Sequence, residues 1–201
     1  MSRGRLFVLS GPSGVGKGTV CQALFSERDD LCLSVSATTR APRPGEVDGV
    51  NYIFLSEAEF SEWIEKGIFL EWATYCDHRY ETPLHKVEEL LEQGKDVLLE
   101  IEIQGSLQVK EKLPESILIF TLPPSMSELR SRLIGRGTES AEVVEARLLR
   151  AEEEMKFVDQ YDYILLNDEV DEAVKRFSHI LEAERLHTKY CKEFINEVLQ
   201  S

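Results

Sequence analysis

Gly11-Pro12-Ser13-Gly14-Val15-Gly16-Lys17, with Gly18 and Thr19 behind it, follows directly on the apolar run Leu6-Phe7-Val8-Leu9. A short apolar run closed by glycine predicts a buried strand, and residues 16–27 have the make-up of a helix. Strand, glycine loop and helix start in that order form a phosphate cradle. Absent side chains let several backbone N–H groups converge on phosphate oxygens, the helix adds the positive end of its dipole, and Lys17 adds a full charge. A glycine turn that binds nothing fits less well, because the lysine and both flanking elements are in place.

Beyond the cradle, apolar runs predict strands over 31–35, 50–55, 69–75, 96–101, 116–122 and 161–166. Ser56 with Glu59 forms a capping box, Pro83 opens a helix reaching Gln93 and closed by Gly94, and Ser125 caps another through Leu133. Gly135-Arg136-Gly137 interrupts the helical spacing, a hinge candidate, before it resumes over 139–157. From 169 to 199 the period is helical, with Val170, Val174, Phe177, Leu181, Leu186, Phe194 and Leu199 on buried faces. Strands alternating with helices predict an α/β fold, a mostly parallel sheet covered on both faces. Two prolines and a glycine between Thr39 and Glu46 exclude regular structure there, so 36–83 reads as a small insertion.

Composition bounds the function. With 201 residues and 42% hydrophobic content the chain can bury a proper core, as one compact unit with insertions. The 23 basic against 37 acidic residues give a net charge of −14, which argues against a general nucleic-acid or anionic-membrane surface. Any anion site is then a local basic pocket. Cys21, Cys32, Cys76 and Cys191 are too far apart for zinc-type pairs and read as free thiols in a reducing, cytoplasmic compartment. No apolar stretch approaches the roughly 20 residues of a membrane span.

Polar residues must say what the cradle serves. The Asn-Lys-x-Asp guanine reader of a GTP switch is missing, but Arg40 and Arg43 form one basic cluster and Arg132, Arg136, Arg147 and Arg150 another. Guanidinium groups make planar, bidentate contacts to phosphate, so two such clusters suggest two phosphate-bearing ligands. Surface charge beside a flexible turn, or helix arginines paired with neighbouring glutamates, remain the alternatives.

Several segments match one family. Gly11 to Thr19, Ser34 to Glu46 with its TTR-x-PR-x-GE pattern, Asn51-Tyr52-Ile53-Phe54, Glu71-Trp72-Ala73, Ile103-Gln104-Gly105, Arg132-Leu133, Gly135 to Thr138, Arg147-Leu148 and Leu166-Asn167-Asp168 closely resemble bacterial-type guanylate kinases. The resemblance covers residues 4–184. It implies a three-layer P-loop core (1–35, 84–128, 156–201), a small mixed GMP-binding insertion (36–83) and a helical lid (129–155). It also implies phosphoryl transfer from MgATP to GMP, and to dGMP, as the activity.

On that resemblance, residues 11–19 (Gly11, Pro12, Ser13, Gly14, Val15, Gly16, Lys17, Gly18 and Thr19) and Asn167 are expected to hold ATP. Ser36, Arg40, Arg43, Glu46, Tyr52, Glu71, Tyr80, Thr82 and Glu102 are expected to hold GMP. Lys17, Arg40, Arg43, Arg132, Arg136 and Arg147 are expected to carry catalysis. Glu71 would accept from guanine N1–H and the exocyclic amine together; Trp72 beside it speaks for a sheltered position over a solvent-exposed one. Mg²⁺ is expected with ATP but without a firm direct protein ligand, because Gly18 stands where a serine or threonine hydroxyl is usual. Thr19, Glu100 and Glu102 are then candidates to act through water.

Three further residues depart from the pattern. Glu100 and Glu102 replace aspartates, and Glu81 stands where glycine is common, which would strain the chain if the backbone there were left-handed. The four histidines form no cluster, and none is needed, since the acceptor phosphate is already largely dianionic at neutral pH. A non-enzymatic scaffold of the same fold and a kinase for another nucleoside monophosphate are the competing readings. Sequence leaves open whether the protein is a monomer or a homo-oligomer.

Overall fold

A computed structural model describes residues 3–75, 78–135 and 140–200. Its first strand, β1 (Leu6–Ser10), is wholly buried and lies in the middle of a five-stranded sheet. Alternate side chains serve opposite layers, as the pleat requires. Phe7 and Leu9 pack with Val20 and Leu24 of α1 (Lys17–Glu27) and with Phe177 and Leu181 of α7 (Val170–Arg185). Leu6 and Val8 pack with Val87 and Leu91 of α3 (Leu84–Glu92) and with Val109 of α4 (Ile103–Lys112).

The other strands of this sheet are β2 (Leu31–Leu33), β7 (Asp96–Glu100), β8 (Ile117–Leu122) and β9 (Tyr163–Leu166), in the order β2-β7-β1-β8-β9. Every pairing is parallel, so the expected parallel sheet is present with helices on both faces. The crossover leaving β1 runs to β2 toward one edge and the one leaving the neighbouring β7 runs to β8 toward the other, which opens a crevice at the carboxyl ends of these two strands.

A second sheet, ordered β4-β3-β6-β5, is built from β3 (Ala37–Thr38), β4 (Ile53–Phe54), β5 (Phe69–Tyr75) and β6 (His78–Pro83). Between its strands runs α2 (Glu57–Glu65), whose Ser56–Glu59 capping box forms as the sequence predicts. Helices α5 (Met126–Gly135) and α6 (Ala141–Met155) fold against each other through Leu129, Leu133, Val144 and Leu148.

The sequence expectations need four corrections. Strands 31–35 and 50–55 shrink to β2 and β4, because the polar stretch 34–36 and the turn before Ile53 leave the ladder. Helix α4 and strands β3 and β6 were not anticipated. The segment 169–199 is not one helix: α7 stops at Arg185, turns intervene, and α8 (Lys192–Gln200) follows. Leu186 and Leu199 are accordingly 78% exposed rather than buried. Finally, Glu81 lies inside β6, paired with Ala37 on one side and Trp72 on the other, so its backbone is extended and unstrained. Arg136, Gly137 and Cys76 lie outside the described residues, as does the Phe194 side chain.

Candidate active site

The phosphate loop joins β1 to α1 at the crevice. Gly11, Gly14 and Gly16 all take positive φ, and Gly16 does so as the residue that caps α1. A Cβ on Gly16 would lie 2.6 Å from the Asn167 amide nitrogen, so that position is closed to side chains by sterics as well as by backbone angle. Asn167, buried at the end of β9, donates that amide to the Val15 carbonyl at 2.7 Å. Arg132 of α5 braces the same loop, donating to the carbonyls of Val15 (3.3 Å), Asn167 (3.0 Å) and Asp168 (3.2 Å). Lys17 folds back across the loop and donates to the Gly11 carbonyl at 2.6 Å. An ammonium whose hydrogen bonds go to loop carbonyls is able to exchange them for phosphate oxygens.

Across the crevice, β5 and β6 carry Glu71, Tyr80 and Thr82 of the expected residues. Glu71 is 4% exposed, which removes the solvent-exposed alternative, although Trp72 beside it is 39% exposed and does not provide the shelter. The start of α4 does: a Cβ on Gly105 would come within 2.5 Å of Glu71 Oε2, so the glycine leaves room for the carboxylate where it lies. Glu71 Oε1 accepts from the Thr82 hydroxyl at 2.9 Å, and burial pushes its carboxyl up to about 7 against the opposing pull of Thr82 and of Lys112. Neither Lys112 nor the position of Gly105 was legible from the sequence, since both depend on α4.

Tyr52 and Tyr80 meet edge-on with ring centroids 6.2 Å apart. Arg40 lies over the Tyr52 ring at 5.4 Å and over Phe54 at 5.8 Å, and its Nη2 donates to Glu46 Oε1 at 2.9 Å. Glu46 Oε2 accepts from the Arg43 backbone N–H at 2.6 Å, so this carboxylate positions Arg40 rather than the Arg43 side chain.

One cavity of about 210 Å³ joins the two halves, and Lys17, Ser36, Tyr52, Glu71, Tyr80 and Glu81 line it together with Glu100 and Glu102. Glu100 closes β7 and Glu102 caps α4, so the pair shares the cavity although only one of them is a strand residue. Burial raises Glu100, opposed by the Lys17 charge. Its carboxylate oxygens face Gly18, 3.6 Å from where a Cβ would stand. Arg40 borders the cavity through Tyr52. Arg43 is exposed, and Arg147 is half-buried on α6; neither lines the cavity. Arg150, grouped with the lid arginines by sequence, donates to Glu154 at 2.8 Å, one of the neighbouring-glutamate pairs that the alternative reading foresaw.

No described group of three or more His, Cys, Asp or Glu side chains is placed to hold a metal ion. The hard carboxylate oxygens of Glu100 beside the loop nonetheless fit a magnesium ion that arrives on phosphate and meets the protein through water. Among the described residues no helix is long and apolar enough to cross a membrane.

Comparison with known proteins agrees with this geometry. The family model described as guanylate kinase matches residues 3–184. A guanylate kinase of Caldanaerobacter subterraneus subsp. tengcongensis is 56% identical over 191 residues, 95% of this chain and 93% of the relative. That of Halalkalibacterium halodurans is 53% identical over 190 residues, 94% and 91% of the two chains. The crystal structure of guanylate kinase from Anaplasma phagocytophilum superposes with a TM-score of 0.76 at 33% identity, covering 98% of this chain and 95% of that one. Phosphate loop, buried carboxylate and matching sequence thus coincide along nearly the whole length, and the chain belongs to the guanylate kinase family.

Proposed function

We propose that this cavity is where the γ-phosphoryl group of ATP passes to the phosphate of GMP, or of dGMP, giving ADP and GDP. The observation that carries the reading is the cavity itself, which has Lys17 of the phosphate loop at one side and the buried Glu71 at the other. Residues 11–19 cradle the donor triphosphate, with Asn167 contributing by holding the loop rather than by reaching past it. Arg40, Tyr52 and Tyr80 take the acceptor phosphate, joined by Arg43 when the exposed turn closes. Glu71 reads guanine N1–H and amine; Ser36, Thr82 and Glu102 complete the wall around the base, and Glu46 fixes Arg40.

Since the acceptor phosphate is dianionic near neutral pH, it attacks without a dedicated base, and the protein's task is alignment and charge stabilisation. Arg132, Arg136 and Arg147 are the lid groups assigned to the transferring phosphoryl, Arg132 by releasing the loop carbonyls it now holds. Glu100, Glu102 and Thr19 would hold, through water, a Mg²⁺ ion arriving with ATP, and that ion would supply neutralisation of phosphate charge. Insertion 36–83 and lid 129–155 close over the core and exclude water, which would otherwise take the phosphoryl group.

The test is ADP formation measured in parallel with GMP, dGMP, AMP, UMP and dTMP. GMP should be the preferred acceptor. Activity with AMP but not GMP would point to another monophosphate kinase, and silence with all five to a binding scaffold.

A further inference from the structure

We propose that Gln108 and Lys112 of α4 are positioning residues for guanine recognition, which hold the main chain of β5 on both sides of Glu71 and so set where its carboxylate meets the base. The proposal rests on the base-reading role given to Glu71 above.

Strand β5 lies at the edge of its sheet, with β6 as its neighbour on one side. An edge strand points main-chain N–H and C=O groups outward, away from the ladder, and these must find partners elsewhere. Here α4 supplies them. Gln108 Oε1 accepts from the Trp72 N–H at 3.3 Å, and Gln108 Nε2 donates to the Trp72 carbonyl at 3.4 Å. One side-chain amide thus takes the place of a residue on a neighbouring strand. On the other side of Glu71, Lys112 Nζ donates to the Phe69 carbonyl at 2.7 Å.

These two residues act together with Gly105. Positions 105, 108 and 112 are three and four apart, which sets them along one stripe of the helix. That stripe delivers the gap beside Glu71 Oε2, then the pair of bonds to Trp72, then the bond to Phe69. Thr82 belongs to the same small sheet as Glu71, so its hydroxyl orients the carboxylate within that sheet. The α4 bonds instead fix the edge of the sheet against the core, from which Lys17 and Glu102 reach the cavity. Lys112 has a second effect, since its charge opposes the burial that raises the Glu71 carboxyl and so favours the form that accepts two hydrogen bonds. A displaced carboxylate would keep one guanine bond at the expense of the other, so placement matters most for a base that offers two donors.

The test is calorimetric binding of GMP, IMP and ATP to wild type, Gln108→Met and Lys112→Met. IMP keeps the N1–H and O6 of GMP but lacks the exocyclic amine, so it meets Glu71 through one bond where GMP uses two. Each variant should bind GMP about three- to tenfold more weakly and IMP with a smaller loss, narrowing the preference for GMP over IMP at least about twofold. ATP should bind as it does to wild type. Lys112→Arg keeps the charge and a donor for the Phe69 carbonyl, and should keep the wild-type preference. An unchanged preference in either methionine variant, a preference narrowed as much by Lys112→Arg as by Lys112→Met, or equal losses for GMP and ATP overturns the proposal. Failure of the underlying reading looks different: Glu71→Gln would then leave the preference for GMP over IMP intact, and the proposal would fall with it.

Discussion

The side-chain amide of Asn167 donates to the carbonyl of Val15 at 2.7 Å, tying the end of β9 to the phosphate loop. The bond is buried, and it fixes a loop whose glycines would otherwise have many accessible conformations. Asn167→Ala should lower stability by about 1–2 kcal/mol in denaturant titration and raise KM for ATP about tenfold, with KM for GMP unchanged. An ATP affinity equal to wild type would mean the loop keeps its shape without the brace.

Among the described residues, the hydrogen bonds that Lys17 donates go to carbonyls of its own loop, at 2.6 Å from Gly11 and 3.4 Å from Pro12. Lys17→Ala should therefore fold with a circular dichroism spectrum like wild type and still bind GMP in calorimetry. Transfer should fall by at least about 10³-fold, since the charge acts on the donor phosphates alone. Residual activity within tenfold of wild type would remove Lys17 from the mechanism.

Arg40 is in contact with the Glu46 carboxylate at 2.9 Å and with the Tyr52 ring at 5.4 Å, among other neighbours. A lysine cannot make both contacts, because it lacks the planar fork. Arg40→Lys is expected to raise KM for GMP by about one to two orders of magnitude while leaving KM for ATP and the denaturation midpoint nearly unchanged. Equal losses for both nucleotides would assign Arg40 to the transferred group instead.

Glu71, raised by burial to about 7, must be ionised to accept two hydrogen bonds from guanine. Guanosine, which has no phosphate to titrate, should inhibit the wild type more tightly as pH rises through about 7. Glu71→Gln should abolish that pH dependence and weaken GMP use about 10- to 100-fold.

Glu81 makes stability depend on pH in a definite direction. Below the usual carboxyl value of 4.5 the group is neutral whether folded or unfolded; above it the unfolded chain ionises, whereas the folded one resists until about 9. Stability is lost as pH rises across that window, by at most about 1.4 kcal/mol per pH unit from this group. The melting temperature of Glu81→Gln relative to wild type should rise steadily from about pH 5 to about pH 9. A constant difference would show that Glu81 is ionised in the folded protein.

The cradle was legible because its parts are contiguous: glycines, lysine and flanking apolar runs report local backbone geometry, and β1 and α1 fall where the pattern places them. The capping box at Ser56 was legible for the same reason. Helix α4 was not, because its buried residues include Gly105, whose small size reflects contact with β5 rather than helical preference, and Ser106, which is hydrogen-bonded to Tyr161. The C-terminal segment misled because its apolar spacing continues past Arg185 although the helix does not, so the period marks α7 and α8 separately without marking the break.

The order of residues by itself determined the phosphate loop, the parallel α/β core and the family, since each rests on neighbours in the chain whose conformation local sterics and hydrophobic period dictate. What only the tertiary structure decided is which carboxylates become buried. Glu71 and Glu81 are ten positions apart and chemically alike, and antiparallel pairing of β5 and β6 with the elements packed on that sheet buries both. Desolvation depends on every element packed around a group, and no stretch of sequence carries that information.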